Sequence, residues 1–378
     1  MSAGQRIVFA NELRGLAAVA VAISHLLGVF WLMRDAVSAA TFTPAQLGPN
    51  HPWALSIVFP WFNFGPFGVG LFFLISGLVI PFSLDSHTRG TFLLARLLRI
   101  YPTYIAAVLL ETALLAGNAH LWGIPFGLGA WTVISNALLI HDLVGQPSLD
   151  LVNWTLCIEL RFYLVMAVCA PAIRRGSVAT VFAVALLACA INLAVAAGAF
   201  GPPLPDPLLP AYTASTEAMF VVFMLMGVLF NFHLRGLLRT PALLLGIVAL
   251  GTLFVFCWET SVLAFQLPGV AANYFCALAL FAALYGLRRV VPRMPILDAL
   301  ADVSYPLYIV HALTGYSVMR LLMLRWHAPY PLALLAGVAA ILAVATALHL
   351  AIERPTIRMG RQLQPSRARP RLARVAAE

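Results

Sequence analysis

Long apolar runs, broken by short polar clusters, set the rhythm of this chain. Runs long enough to cross hydrocarbon as helices lie at 14–33, 63–84, 101–117, 154–173, 178–199, 213–233, 241–259, 264–287, 303–324 and 331–353; a span needs about 20 such residues. A shorter apolar piece, 130–141, is ambiguous by length alone. The pattern predicts an all-α polytopic membrane protein: a bundle of about ten transmembrane helices.

Charge decides how the short piece is read. With 130–141 kept from crossing and the N-terminus inside, Arg6, Arg89, Arg96, Arg99, Arg174, Arg175, Arg235, Arg239, Arg288, Arg289, Arg293 and the residues from Arg354 onward all fall on one side. Only Arg34 and Arg325 remain in outward loops, and Arg161 and Arg320 lie inside spans. A crossing at 130–141 would put Arg174 and Arg175 outside, against the positive-inside bias. The expectation is therefore ten spans with both termini cytoplasmic, and 121–153 as an outer loop carrying a re-entrant or interfacial piece. Residues 1–360 form the membrane domain. The chain closes on "RMGRQLQPSRARPRLARVAAE" (358–378), of which residues 361–378 are read as a basic, disordered cytoplasmic tail near anionic lipid.

Composition agrees with that reading. Hydrophobic residues make up 62% and charged residues 10% of 378, where a soluble domain carries roughly 25% charged residues. The net charge of +9 comes from arginine clusters between apolar runs, with no lysine. No basic groove with interleaved aromatics is visible, so nucleic-acid binding is excluded. Cys157, Cys169, Cys189, Cys257 and Cys276 lie in apolar runs without CxxC spacing or a ligand-spaced histidine. They read as packing residues, and no metal is expected. No cleavable secretory signal is visible, so the first helix is read as retained.

Ionisable residues inside such spans are costly and mark functional paths. In "NELRGLAAVAVAISHL" (11–26), Arg14 and His25 are eleven residues apart. That is about 20° from three full turns and about 16 Å along the axis, so they share a face. Ala18, Val21 and Ala22 on the way are small enough to border a cavity. The run "GPFGVGLFFLISGLVIPFSL" (65–84) spreads four glycines along an aromatic helix, with Ser76 before Gly77. Those glycines suit either close helix packing or a backbone opening for a thin ligand. "RGTFLLARLLRIYPTY" (89–104) places Arg96 and Arg99 on one face beside Tyr101 and Tyr104, with Pro102 expected just inside the start of a helix. Such a pair can grip phosphates bidentately, and without a Walker-type loop a hydrolysed nucleotide is not expected. "NWTLCIELRFYL" (153–164) carries Trp154 at an interfacial end, with Glu159 and Tyr163 on one face. The partner of Glu159 is either Arg161 or a group on another helix. "SYPLYIVH" (304–311) holds Tyr305, Tyr308 and His311, and "IERP" (352–355) holds Glu353 and Arg354, which read as a boundary anchor.

These islands, in this order, resemble the acyltransferase-3 family of integral-membrane O-acyltransferases, in a stand-alone form without a fused hydrolase-like domain. "LRGLAAVAVAISH" is similar to its Arg, ten residues, His signature, and "FFLISGLVI" to its second-helix block. "RLLRIYP" resembles its Arg-x-x-Arg block, "NWTLCIELRFYL" its Trp/Glu/Phe-Tyr block, and "SYPLYIVH" and "IERP" its last two. The resemblance implies transfer of an acyl group, most often acetyl from acetyl-CoA, to a hydroxyl of a sugar or small natural product. An envelope polysaccharide at the bacterial inner membrane is the first expectation for the acceptor. It implies Arg14 and His25 as the essential pair; Glu12, where many members carry Asp or another residue, is read as fixing the Arg14 guanidinium, and Glu159 as completing the catalytic set. Arg96, Arg99, Tyr101, Ser76 and Gly77 would meet the coenzyme, and Trp154, Tyr163, Tyr305 and His311 the acceptor. Acetyl-CoA is then a co-substrate, and no cofactor is permanently bound. The other class the same residues fit is a proton-coupled transporter or flippase of a glycan or small metabolite, relaying protons through His25, Glu159 and His311.

Overall fold

Most of these helices are apolar on every side, so they satisfy their backbone internally and expose hydrocarbon outward. The structure, a computed structural model, describes residues 8–45, 62–199, 210–261, 263, 264, 267 and 269–363. Among these it is helical with no strand. Eight helices are long and apolar enough to cross a membrane. They are α1 (Val8–Leu32), α3 (Phe64–Asp85), α4 (Arg89–Trp122), α8 (Val178–Ala196), the Ser215–Leu234 part of α9 (Pro210–Leu234), α10 (Thr240–Glu259), α13 (Ser304–Arg325) and the run Tyr330–Gln362. That last run comprises α14 (Tyr330–Leu348), a π-helical turn and α15 (Arg354–Gln362). Val168, Leu245, Val248 and Leu335 are exposed by two thirds or more, a surface suited to lipid rather than water. The protein is integral to a membrane.

The other two expected spans are shorter. Residues 154–173 are split into α6 (Trp154–Val168) and α7 (Ala170–Arg174), because Pro171 cannot donate to the preceding turn. The segment 264–287 keeps the 16-residue helix α11 (Ala271–Gly286). The ambiguous piece forms α5 (Ala130–Ala137), eight residues, about 12 Å long and too short to cross. Two short helices complete the set: α2 (Arg34–Thr41) and α12 (Pro295–Asp302).

Two expectations need correction. Pro102 does not open a helix but lies inside α4, which runs unbroken for 34 residues from the Thr88 capping box. At about 51 Å, α4 exceeds the hydrocarbon thickness, so Arg96 and Arg99 sit well within its length rather than before it. The segment read as a tail from Arg358 is still helical through Gln362; residues 364–378 lie outside the described residues.

Helix α3 is the centre of the bundle, packed by α1, α9 and α11. It gets there by having no side chain where its neighbours press. A Cβ on Gly77 would collide with Met224 O and Gly227 of α9, and one on Gly68 would lie 2.8 Å from Ala17 O of α1. Its N-terminus is fixed by Asn63. That side chain accepts from Gly65 N–H (3.0 Å) and from Ser24 Oγ (3.0 Å), while Asn63 N–H donates to Asn273 Oδ1 (2.6 Å). Between α5 and α6, Asp150 Oδ1 accepts from the N–H groups of Val152 (2.8 Å) and Asn153 (2.6 Å). Burial pushes the Asp150 carboxyl up to about 6.

Gly77→Ala is expected to destabilise the purified protein by about 1–3 kcal/mol, because the clash is with backbone. Gly90→Ala, with nothing within 4 Å of the added carbon, should leave the melting temperature unchanged; equal behaviour of the two would refute the packing argument. The carboxyl of Asp150 is held above its unfolded value of 3.8. Its folded form therefore keeps its proton longer, and stability is lost as pH rises from about 4 to about 6. Asp150→Asn should thus raise the melting temperature more at pH 8 than at pH 4, and a pH-independent difference would count against it.

Candidate functional site

Three cavities lie in series along α1. The first, about 720 Å³, is lined by Arg14, Arg99, His349, Glu353, Arg354, Arg358 and Arg361, among others. Arg14, Arg99 and Ser304 also line the second, a neck of about 70 Å³ walled by Val69, Phe72, Phe73, Ser76, Glu159, Tyr305 and Tyr308. Val69 and Tyr308 are shared in turn with the third, about 610 Å³, which reaches His25. The Arg14-to-His25 face of α1 therefore connects a basic chamber to a far chamber through a constriction.

The basic chamber is built from helix ends. Arg354, Arg358 and Arg361 recur at four and three residues on α15, so one face carries all three. Helix α15 lies over α4, with Gly360 beside Ala95. The π-helical turn His349–Glu353 brings His349 Nδ1 within 2.7 Å of the buried Glu353 carboxylate. Arg14 and Arg99 make no hydrogen bond or ion pair among the described residues, although both feel Glu159 and Glu353 electrostatically. Two adjacent guanidiniums without a bonded carboxylate form a site poised for an anion. Sequence reasoning read Arg354 as an anchor and Arg358 and Arg361 as tail; their i, i+4, i+7 spacing was the available signal.

The neck is held by hydroxyls on one carboxylate. Glu159 Oε1 accepts from Tyr163 (2.6 Å) and Ser76 (3.2 Å). Arg161 is not its partner: two residues on, it points to another face and pairs with Asp142 (2.8 Å) and Glu217. Glu159 and Tyr163 belong to the neck side of the site, since Tyr163 lies at the Arg96 guanidinium (5.6 Å) and away from the far chamber. Tyr305 lines the neck and donates to Ile100 O (2.8 Å).

The far chamber joins His25 to Trp154, His141, Asp142, Glu217, Trp258 and Tyr274. His25 sits in a π-helical turn, Ser24–Val29, a distortion that re-aims side chains and is frequent at functional sites. Its Nδ1 is 2.8 Å from Tyr316 Oη, a residue that sequence reasoning missed five positions beyond His311. The His311 ring stands edge-on to His25 at 4.8 Å. It donates from Nδ1 to Tyr308 O (2.7 Å), and its buried Nε2 has no hydrogen-bond partner. Outside the spans, burial and Arg161 hold His141 below the ordinary imidazole range against the opposing Asp142, so it is neutral.

Four expected site residues lie elsewhere. Glu12 does not reach Arg14: its Oε1 accepts from Met294 N–H (3.0 Å) and ties α1 to the start of α12. Gly77 faces α9, where close packing rather than a ligand fills the space. Tyr101 donates to Leu138 O (2.9 Å) and supports the segment after α5. Arg96 stacks on Phe92 and Tyr163, 5.6 Å from each ring centre, and lines none of the three cavities. Ser76, Arg99, Trp154 and Tyr305 do line the passage.

Comparison with known proteins closes the argument. Residues 8–350 match the acyltransferase-3 family, described as an acyltransferase domain. Nodulation protein 10 of Rhizobium leguminosarum bv. viciae is 32% identical over 155 residues, 37% of this chain and 41% of that protein. The chain thus spans about two fifths of the length of that curated relative. No solved structure matches. With a family match over nearly the whole bundle, and with the Arg14 and His25 signature opening the passage, the chain belongs to the acyltransferase-3 family.

Proposed function

We propose that the protein moves an acyl group, acetyl from acetyl-CoA, from the cytoplasm to a hydroxyl of a sugar or glycoconjugate, an envelope polysaccharide, at a bacterial inner membrane. The observation that carries this reading is the single passage with arginines at one end and a histidine at the other. Its basic chamber is taken as cytoplasmic, in a bundle of ten spans with both termini inside, because the arginine clusters gather at that end.

The chemistry follows the passage. Arg14, Arg99, Arg354, Arg358 and Arg361 hold the phosphates of the coenzyme, and its thin arm threads the neck past Ser76 and Tyr305. Tyr316 donates to His25 O (3.4 Å), which leaves its oxygen to accept from Nδ1–H and puts the imidazole lone pair on Nε2. Nε2 takes the acceptor's hydroxyl proton as that oxygen forms a bond to the thioester carbonyl. The carbon–sulfur bond then breaks, and the thiolate leaves as coenzyme A once protonated. Glu159, steadied by Tyr163 and Ser76, balances the arginines beside the neck. Trp154 and Trp258 offer flat faces for a sugar ring. His311 orients His25 by contact.

His25→Ala is expected to lower acyl transfer by about 10²- to 10⁴-fold at equal membrane abundance. This is read by mass spectrometry of glycans from cells lacking the gene and complemented with each variant. Full restoration of the acyl mass by His25→Ala would remove His25 from the chemistry. An acyl-protein adduct that vanishes in that variant would replace direct transfer with a relay. In membranes, Arg358→Ala and Arg361→Ala should each raise KM for acetyl-CoA about 10- to 100-fold, the worth of one charge-assisted hydrogen bond, with kcat held. An unchanged KM would refute a donor site on α15.

A further inference from the structure

We propose that His141, Asp142 and Cys157 form a binding site for one zinc-like divalent metal ion in the wall of the far chamber. The sequence separates Cys157 from the other two by about fifteen positions, so no ligand spacing is visible. The fold closes that gap: the segment after α5 returns over the first turn of α6. One nitrogen, one carboxylate oxygen and the Cys157 sulfur then lie within 4.8 Å of one another. A tetrahedral ion with bonds of about 2.0–2.3 Å sets its ligands about 3.3–3.8 Å apart, so small side-chain movements would close the site.

Two further observations point to a ligand there. His141 is 4% exposed, and its Nδ1 has no hydrogen-bond partner; Asp142 Oδ1 is likewise buried and unpartnered. Such atoms are rare without an explanation. Arg161 binds the other oxygen of Asp142 at 2.8 Å, which orients the carboxylate and leaves Oδ1 free, the usual arrangement around a metal. The Cys157 thiol makes a long 3.7 Å contact to Leu139 O and bonds the Asp142 side chain. On binding, its S–H bond breaks, the sulfur bonds the ion as thiolate and the proton leaves to solvent. A mixed nitrogen, oxygen and sulfur set selects zinc or cobalt over magnesium or calcium. Because His141 and Asp142 line the chamber, the fourth position faces it, open to water or to a hydroxyl. This site does not depend on which acceptor the enzyme uses.

The test is cobalt titration of the purified, chelator-stripped full chain in detergent. The expected result is one Co²⁺ per chain with a near-ultraviolet sulfur-to-cobalt band, bleached by one equivalent of Zn²⁺. In Cys157→Ser the band should be lost and affinity should fall by about 100-fold or more. His141→Ala should weaken binding while keeping a sulfur band. Cys189→Ser serves as control, because Cys189 and Cys257 place a second pair of sulfurs 3.1 Å apart. No stoichiometric cobalt in the wild type, or a band that follows Cys189 rather than Cys157, would overturn the proposal without bearing on acyl transfer.

Discussion

The site depends on how closely α3 can approach its neighbours. Gly68 meets α1 and Gly77 meets Gly227 of α9 at backbone contact, so van der Waals packing rather than polar bonding holds the centre together. With α3 so placed, the passage between α1, α3, α4, α6 and α13 is only about 70 Å³ at its waist. Wider packing would merge the two chambers, and tighter packing would seal them from each other. The aromatic side chains Phe72, Phe73, Tyr305 and Tyr308 set the residual width.

Polar groups inside the bundle divide into two kinds. Some are matched to each other: Asn231 donates to Leu78 O, Asn118 to Thr41 O and Ser317, and Arg320 to Thr43 and Pro44 O. These satisfy helix carbonyls and loop ends where water is absent. Others face the cavities with spare capacity, among them Arg14, Arg99 and His141. The difference between bonded and unbonded groups, more than polarity itself, separates scaffold from site in this protein.

Much of this was legible in the sequence, and the reasons differ by residue. Arg14 and His25 were readable because helix periodicity puts residues eleven apart on one face. Glu159 with Tyr163 was readable as an i, i+4 pair. The partner of Arg161 was not, since Asp142 and Glu217 come from other elements. Glu12 misled because nearness in sequence to Arg14 suggested a pairing, whereas its side chain reaches Met294 across the bundle. Pro102 misled because a proline was assigned to a helix start, while tertiary packing carries α4 straight through it. The cluster at Cys157 was invisible for the same reason that it exists: it is made by chain reversal.

The narrow waist has an electrical consequence. A volume of about 70 Å³ is roughly a tenth of that of either chamber. The two guanidiniums at its entrance, Arg14 and Arg99, repel any cation that begins to dehydrate there, as fixed positive charge does in pores that exclude protons. Fixed positive charge at the constriction thus disfavours the leak of cations from one chamber to the other.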